Sequence, residues 1–280
     1  MIALTAVLAF GIAAHTHGGS GGKTPIAQAK QNIEFLNAIQ RIQPGSTPRE
    51  SEKNSETAVI AFTFDDGYIS DYEYAYPILK KYGIRGTSYI IGEYPDRGKP
   101  YALFWEQIKE MKAYGWCFGC HTYAHTDLTK MTTAQIQKSM EQEDLAFTRQ
   151  GLEPPAVHAY PYGRYDQQVI EALKPYRKQM RKASYDEKFV DIDHMNPYEI
   201  DSISADMITE KRLASREQLV DRACKEKAVI VFRVHGLYMM KRDDTGAWPV
   251  QTDAKLFEKL VGYCVKKGCR FITMEELMGM

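Results

Sequence analysis

A strand-like apolar run, a helix and a glycine recur along most of this chain, and that repeat limits the folds it can adopt. The run AVIAFTF at 58–64 is rich in β-formers, and the helical segment after it ends at Gly83. TSYII at 87–91 comes next, and another helical segment ends at Gly115. Glycine directly after a helix supplies the left-handed residue on which many helices end. The alternation predicts parallel strands joined by crossover helices.

The length of the chain suits one large α/β domain built from this repeat. About six or seven units fit between residue 57 and the end of the 280-residue chain, which favours a closed or nearly closed β/α barrel over an open sheet. No G-x-G-x-x-G motif follows a strand, so a dinucleotide-binding fold has no support. In such a barrel, catalytic side chains are expected just after several different strands.

The residues before the repeat predict an exported protein with a short helical extension. The apolar stretch 2–14 is too short to span a bilayer, and it suits the apolar region of a secretory signal although no Lys or Arg precedes it. We assign 1–22 to a signal segment and flexible link, 23–56 to an N-terminal helix and linker, and 57–280 to the catalytic domain. The expected location is secreted or cell-envelope, with a cytoplasmic chain as the alternative and no membrane association beyond the signal segment.

Charge and cysteine content exclude some classes of protein. Lys plus Arg and Asp plus Glu both number 36, so a polyanion such as nucleic acid is not predicted as a partner. The basic run 174–182 is interpreted as a solvated helix end. The five cysteines are an odd set, which does not fit the framework of a small disulfide-stapled domain.

The stretch CFGCHTYAH at 117–125 allows three kinds of chemistry. Cys117 and Cys120 have the spacing of a redox dithiol, and with His121 they have the spacing that attaches a c-type haem. His121 and His125 have a spacing that puts two imidazoles on one face of a helical turn, where both can bind one metal ion. The metal interpretation is favoured because the pair follows a predicted strand. No haem is expected, and the two cysteines are predicted to be strand residues under the site.

Carboxylates and a further histidine also follow predicted strands. Asp65 and Asp66 come directly after AVIAFTF, and a bound cation would relieve the repulsion between their charges. One of the two, with His121 and His125, would make a two-histidine, one-carboxylate site that leaves positions open for substrate and water. His235 ends the most regular predicted strand. Single motifs of this kind also occur as surface turns or buried structural histidines.

Four of these segments resemble, in order and spacing, the motifs of the polysaccharide deacetylases. The segments are TFDDGY (63–68), GCHTYAHTDL (119–128), YPYG (160–163) and VFRVHG (231–236). The resemblance extends from about residue 57 to the C-terminus, where FEKLVGYCVKKGCRFITMEEL is similar to the last helix and strand of that family. It implies a distorted (β/α)7 barrel, here with an N-terminal helical extension.

The resemblance also implies a role for each matching residue. Asp65 corresponds to the general base, and His235 to the general acid. The backbone N–H of Tyr162 corresponds to the group that helps to hold the oxyanion. The metal ligands implied are Asp66, His121 and His125.

Two departures from the family pattern leave the partners of the base and the acid unassigned. Many members have an arginine, which orients the base, at the position that Ala159 occupies here. The motif whose aspartate partners the acid has no convincing match, and Asp201 is only a weak candidate. A chain that binds metal but turns over slowly is therefore one expectation.

The resemblance implies a metal-dependent hydrolase that removes N-acetyl or O-acetyl groups from a carbohydrate polymer or oligosaccharide. The divalent cofactor is expected to be zinc, with cobalt, nickel or manganese as alternatives. Tyr68 and Trp248 are candidates for lining a sugar groove. Two other hypotheses stay open: a small-molecule C–N hydrolase, such as a deformylase or cyclic-ureide hydrolase, and an inactive carbohydrate-binding protein.

Overall fold

The structure is a computed structural model that describes residues 57–184, 186–207, 209–239 and 251–280. The signal segment and the N-terminal helix predicted before residue 57 lie outside these ranges, as does Trp248, so those expectations stay predictions. Within the described ranges, no helix is both long and apolar enough to cross a membrane.

A parallel sheet of seven strands, with an eighth short strand beside the first, forms the centre of the fold. The strands are Val59–Phe64 (β1), Thr87–Ile90 (β2), Cys117–Cys120 (β3), Val157–Ala159 (β4), Gln179–Arg181 (β5), Ile203–Ser204 (β6), Val229–Val234 (β7), Gly236–Tyr238 (β8), Gln251–Asp253 (β9) and Arg270–Phe271 (β10). The order in the sheet is β5-β4-β3-β2-β1-β7-β6, and β10 pairs with the start of β1. The small β8–β9 pair is separate from this sheet.

Helices connect the strands, and polar side chains fix where the longest of them begin. Thr132 accepts the backbone N–H of Gln135 in a capping box, and Thr209 accepts that of Arg212. A π-helix, Asp71–Ala75, precedes the first α-helix. The α-helices are Tyr76–Lys80 (α1), Glu93–Asp96 (α2), Trp105–Ala113 (α3), Thr133–Thr148 (α4), Gln167–Leu173 (α5), Glu210–Glu226 (α6), Ala254–Lys266 (α7) and Met274–Leu277 (α8).

Backbone hydrogen bonds beyond the regular strands close the sheet into a ring. The N–H groups of Lys182 and Ser184 donate to the carbonyls of Ile200 and Ser202, at 2.9 and 3.2 Å. The segment they bind leads directly into β6, which pairs with β7. Because this closing segment is irregular, the barrel is distorted, and the predicted (β/α)7 barrel is confirmed.

Side-chain alternation divides the barrel interior into an apolar half and a polar half. Val59 and Ala61 of β1 pack with Val229 and Val231 of β7 in a buried cluster that draws on most strands of the barrel. Successive side chains of a strand point to opposite faces. Thr63 and Asp65 therefore continue the inward face of β1, and Arg233 and His235 continue that of β7. The polar half lies at the C-terminal ends of the strands.

Candidate metal centre and active site

The turn after β1 separates two neighbouring carboxylates. Asp65 still follows the strand ladder, because its N–H donates to the carbonyl of Val234 at 2.9 Å. Asp66 has a φ of 72°, a left-handed conformation that is unfavourable for a residue with a Cβ. Gly67 follows with a φ of 64°, and a Cβ there would lie 2.9 Å from Cδ1 of Ile90. This backbone directs the two carboxylates to different places.

Asp66, His121 and His125 converge into a group that could hold a metal ion. One donor atom from each lies within 4.8 Å of the others. Oδ1 of Asp66 is 3.5 Å from Nε2 of His121 and 3.4 Å from Nε2 of His125. That oxygen is buried and accepts no hydrogen bond. A buried acceptor facing two imidazole nitrogens fits a divalent cation, so the residues predicted as ligands suit that role.

Hydrogen bonding and burial prepare both imidazoles to bind a metal. Nδ1 of His121 lies 2.8 Å from the carbonyl of Ala159, which fixes the tautomer that leaves Nε2 as a lone-pair donor. Burial, followed by the nearby charge of His121, lowers the pKa of His125 to about 4. The ring of His125 can therefore offer an unprotonated Nε2 at neutral pH.

A left-handed turn, and not a helix, brings the two histidines together. Thr122 and His125 have φ values of 63° and 52°, and the segment between them is irregular. Oγ1 of Thr122 accepts the N–H of Thr126 at 3.0 Å and fastens this turn. The expectation that one helical turn aligns the pair is wrong, although the two rings do converge.

The cysteines before His121 are strand residues, as expected. Cys117 and Cys120 are the first and last residues of β3, and they join different core clusters on opposite faces of the sheet. Burial raises the pKa of each thiol to about 12. A reactive dithiol needs a low pKa and a shared face, so this structure contradicts the redox alternative.

Arg181 supplies the cation that Ala159 does not provide. Its Nη2 donates to Oδ1 of Asp65 at 2.6 Å, and its Nη1 donates to Oγ of Ser202 at 2.8 Å. Burial opposes the charged form of Asp65, but Arg181, His121 and His235 outweigh it and hold the pKa of that carboxyl well below its usual range. Arg181 lies in β5 directly beside Ala159 of β4. The guanidinium therefore enters the site from the neighbouring strand.

This finding also corrects the interpretation of the basic run 174–182 as a solvated helix end. Arg177 and Arg181 are each 1 % exposed, and the run contains β5. Both arginines are paired with buried or half-buried aspartates. The sequence gives little sign of this, because a three-residue strand is too short to show an alternating pattern.

Asp206 is the partner of His235, and the weak candidate Asp201 is not. Oδ2 of Asp206 lies 3.1 Å from Nδ1 of His235, and Oδ1 accepts the backbone N–H of His235 at 2.8 Å. Asp201 instead binds Lys182 at 3.3 Å and the hydroxyl of Ser184. Burial disfavours the imidazolium, but the hydrogen bond and charge of Asp206 outweigh it and raise the pKa of His235 to about 9. No motif in the sequence marks Asp206.

The acid and base candidates face each other across the barrel mouth. Nε2 of His235 is 4.0 Å from Oδ2 of Asp65. Tyr162 borders the metal group, with its ring centroid 4.5 Å from that of His125 and its hydroxyl donating to the His125 carbonyl at 3.3 Å. It has a φ of 59° and is 56 % exposed. The half-buried Tyr68 donates a hydrogen bond to Asp66. Tyr68 and Tyr162 are thus neighbours of the metal group, while their predicted contacts with substrate stay predictions.

Comparisons with known proteins find one matching family model and several curated relatives. Residues 52–180 match the family model described as polysaccharide deacetylase. YxkH of Bacillus subtilis (strain 168) is 32 % identical over 167 residues, which are 58 % of this chain and 59 % of YxkH. The chitin deacetylase of Arthroderma benhamiae is 33 % identical over 161 residues, covering 55 % of this chain and 41 % of that protein. The chain thus spans about half the length of these relatives.

A solved structure from Mycobacterium smegmatis supports the fold independently of sequence. It superposes with a TM-score of 0.61 at 12 % identity, covering 85 % of this chain and 93 % of that one. At such low identity the likeness concerns the barrel alone. The motifs, the distorted barrel and the match over residues 52–180 together make this chain similar to the polysaccharide deacetylases.

Proposed function

We propose that this chain is a metal-dependent hydrolase that removes N-acetyl groups from a carbohydrate polymer or oligosaccharide, with O-acetyl groups as a second class of substrate. The observation that carries the proposal is the pairing of two units at one barrel mouth. One is the metal-ligand group of Asp66, His121 and His125. The other is Asp65 facing His235 at 4.0 Å. The name of the Arthroderma benhamiae relative supports an acetylated amino sugar as substrate.

The ligand group suits zinc, with cobalt, nickel or manganese as alternatives. Two imidazoles and one carboxylate are borderline and hard donors, which these divalent ions accept, and three protein ligands leave coordination positions open. A bound ion of this kind supplies Lewis acidity, which polarises the acetyl carbonyl and makes a water molecule easier to deprotonate. The chain's own residues perform the proton transfers.

Asp65 is the proposed general base. Arg181 keeps it charged and fixes one of its oxygens, which leaves Oδ2 directed toward His235. A carboxylate with a lowered pKa is a weak base, so it depends on a water whose own pKa is lowered nearby. Proton abstraction by a positioned base typically contributes about 10²–10⁴-fold to the rate.

His235 is the proposed general acid. Asp206 holds its Nδ1 side and raises its pKa, so the ring is protonated at neutral pH and presents Nε2–H to the site. An amine is a poor leaving group unless it is protonated, and His235 lies where it can give that proton. The backbone N–H of Tyr162 is proposed to stabilise the oxyanion of the tetrahedral intermediate, a role typically worth about 3–4 kcal/mol.

The proposal is tested by acetate release from chito-oligosaccharides, peptidoglycan and acetylxylan during a metal titration. Asp66→Asn should lower metal affinity, and excess metal should partly restore its turnover. Asp65→Asn should retain the metal and lose about 10²–10⁴-fold in turnover, without rescue by metal. Metal occupancy is measured separately by elemental analysis.

Two results would contradict the assignments. Rescue of Asp65→Asn by metal, with no rescue of Asp66→Asn, would reverse the two roles. If neither variant loses tenfold in turnover, the mechanism is wrong. Turnover confined to small amides in the substrate panel would favour a small-molecule C–N hydrolase, and sugar binding without any turnover would favour an inactive carbohydrate-binding protein.

A further inference from the structure

Three of the five cysteines lie close together at the end of the barrel opposite to the metal centre. Cys224 is in the last turn of α6, Cys264 is in α7, and Cys269 directly precedes β10. The Sγ atoms of Cys224 and Cys269 are 3.8 Å apart. Arg270, next to Cys269, pairs with Val59 at the start of β1. A strand of that length separates the thiols from Asp65 by about 20 Å.

The arrangement does not have the geometry of a metal site. Among the described residues, which include all five cysteines, only Asp66, His121 and His125 form a group of three or more ligating side chains with converging donor atoms. Cys264 is fully buried. The close pair of Cys224 and Cys269 therefore has no third ligand positioned to complete a thiolate site.

We propose that Cys224 and Cys269 are a redox-sensitive pair that peroxide converts into a reversible disulfide. The two sulfurs need to approach each other by about 1.8 Å to reach bonding distance. The end of α6 can allow this movement, because the helix stops two residues after Cys224 and Lys227 there has a φ of 55°. Cys224 is partly exposed, so an oxidant can reach the pair from solvent.

The chemistry needs one peroxide molecule and no other reactant. Hydrogen bonds from the Cys264 and Cys224 thiols lower the pKa of Cys269 to about 7, so a large fraction is thiolate at neutral pH. The Cys269 thiolate attacks one peroxide oxygen, the O–O bond breaks, and hydroxide leaves with formation of a sulfenic acid. The sulfur of Cys224 then attacks the Cys269 sulfur, the S–O bond breaks, and the thiol proton leaves with the hydroxide as water. Two thiols and one peroxide thus give one disulfide and two waters.

The bond would fasten a part of the barrel that few contacts hold. β10 pairs with β1 through two residues, Arg270 and Phe271. A disulfide between residues separated by 45 positions links this strand to α6 and restricts the unfolded chain. Because the pair lies at the end of the barrel away from the metal centre, the bond is expected to change stability and not turnover.

The test uses the full chain, treated with hydrogen peroxide or kept in a thiol-free reductant. Alkylation and intact mass spectrometry should show that five free thiols fall to three, and peptide mapping should show Cys224 joined to Cys269. The melting temperature should rise by about 10 °C, and reductant should reverse the rise. Cys264→Ala is the control, and it should still form the crosslink, but more slowly, because Cys269 loses a hydrogen bond that lowers its pKa.

Variants at the pair separate this proposal from its rivals. Cys269→Ala should retain four free thiols after the same treatment, whereas Cys224→Ala should stop at a sulfenic acid on Cys269, and neither variant should form the crosslink or show a rise in melting temperature. A crosslink that includes Cys264, a crosslink between two chains, or five thiols that survive peroxide would overturn the proposal. Protection of the three thiols by added Zn²⁺ or Cd²⁺, with the ion bound in equal amount to the chain, would also overturn it in favour of a thiolate metal site.

Discussion

The barrel strands are apolar on the inside at their N-terminal ends and polar on the inside at their C-terminal ends. At the N-terminal end, β1 and β7 send Val59, Ala61, Val229 and Val231 into one apolar cluster. At the C-terminal end, the same inward faces continue as polar and charged residues, and Asp65 there lies against a guanidinium. One end gains stability from apolar burial, whereas the other places charged groups out of water in a fixed geometry.

The two ends also differ in backbone conformation, because left-handed residues are concentrated at the C-terminal ends of the strands. The described residues include five non-glycine residues with positive φ, and four of them, Asp66, Thr122, His125 and Tyr162, surround the metal group. The fifth, Lys227, ends α6. Left-handed backbone at residues with a Cβ is unfavourable and persists only where the surroundings enforce it. The apolar end therefore supplies the stability that the strained end lacks, and substitutions at the two ends should have separable effects.

The largest effect is expected from Arg181→Met, which leaves Asp65 buried without its cation. Breaking such a pair should lower the free energy of unfolding at pH 7 by about 3–5 kcal/mol, measured by denaturant titration. The pKa of Asp65 is depressed in the folded state, so its stabilisation exists above its unfolded pKa and is lost as pH falls. The difference between variant and wild type should therefore shrink toward pH 3.

Arg177→Met is the matched control for Arg181→Met. Arg177 is equally buried and is paired with Asp144 at 2.6 Å, but it lies outside the proposed site. It should destabilise the fold while leaving the turnover of each folded molecule unchanged. Equal loss of turnover in both arginine variants would contradict a specific role for Arg181 in holding the base.

Leu277→Ala tests the apolar end alone. The side chain is fully buried in the cluster with Val59 and Val231, and its truncation should cost about 2–5 kcal/mol of stability. Metal occupancy and turnover per folded molecule should match wild type at 15 °C below the melting temperature of the variant. A fall in metal affinity would show that the two ends of the barrel are energetically coupled and that their effects are not separable.

Asp206→Asn removes the charge that supports His235. In metal-free wild type, the raised pKa of His235 gives stability that is complete below about pH 6.5 and is lost as pH rises toward about 9. The variant should lack this slope of up to about 1.4 kcal/mol per pH unit. The basic limb of the pH profile of kcat/KM should also move to lower pH, because His235 in the variant loses its proton at a lower pH. Unchanged pH profiles for stability and kcat/KM would exclude Asp206 as the partner of the acid.

Glu143→Gln should have the smallest effect of these substitutions near pH 4, and its effect depends on pH alone. Glu143 is fully buried in α4, and burial raises its pKa to about 8 although Arg177 opposes the shift. Its Oε2 accepts the N–H of Gly92 at 3.2 Å, which a Gln oxygen can replace. A folded pKa above the unfolded one makes wild type lose stability as pH rises from about 4.5 to 8. The melting temperature of the variant should equal that of wild type near pH 4 and should be higher than that of wild type at pH 9.

Much of the fold and part of the site could be predicted from sequence because their signals are local. The β1 run and the glycines after helices predict the barrel. Asp65, Asp66, His121, His125 and His235 all lie just after strands, where a barrel of this kind concentrates its chemistry. The left-handed φ of Asp66 decides which of the two adjacent carboxylates joins the histidines. The residue type at that position does not predict this backbone conformation.

The partners of the proposed base and the proposed acid could not be predicted, because their signals are tertiary. Arg181 lies in a three-residue strand inside a basic run, so composition favoured a solvated helix end. Its burial becomes evident only once β5 lies beside β4. Asp206 follows the two-residue β6, and Asp201 five positions earlier has the same chemistry. Pairing across a closed ring decides between such residues, and no local pattern encodes it.

The central place of β1 has a consequence for how the chain is made. Thr63 of β1 donates its hydroxyl hydrogen to the carbonyl of Phe232 in β7, 169 residues later. At a synthesis rate of about 5–20 residues per second, the run VIAFTF waits roughly 10–30 s for the strand that covers its longest edge. An apolar, β-forming segment with an unpaired edge is prone to self-association during that interval. Newly made chains should therefore need a chaperone, or slow release at low temperature, until β7 leaves the ribosome.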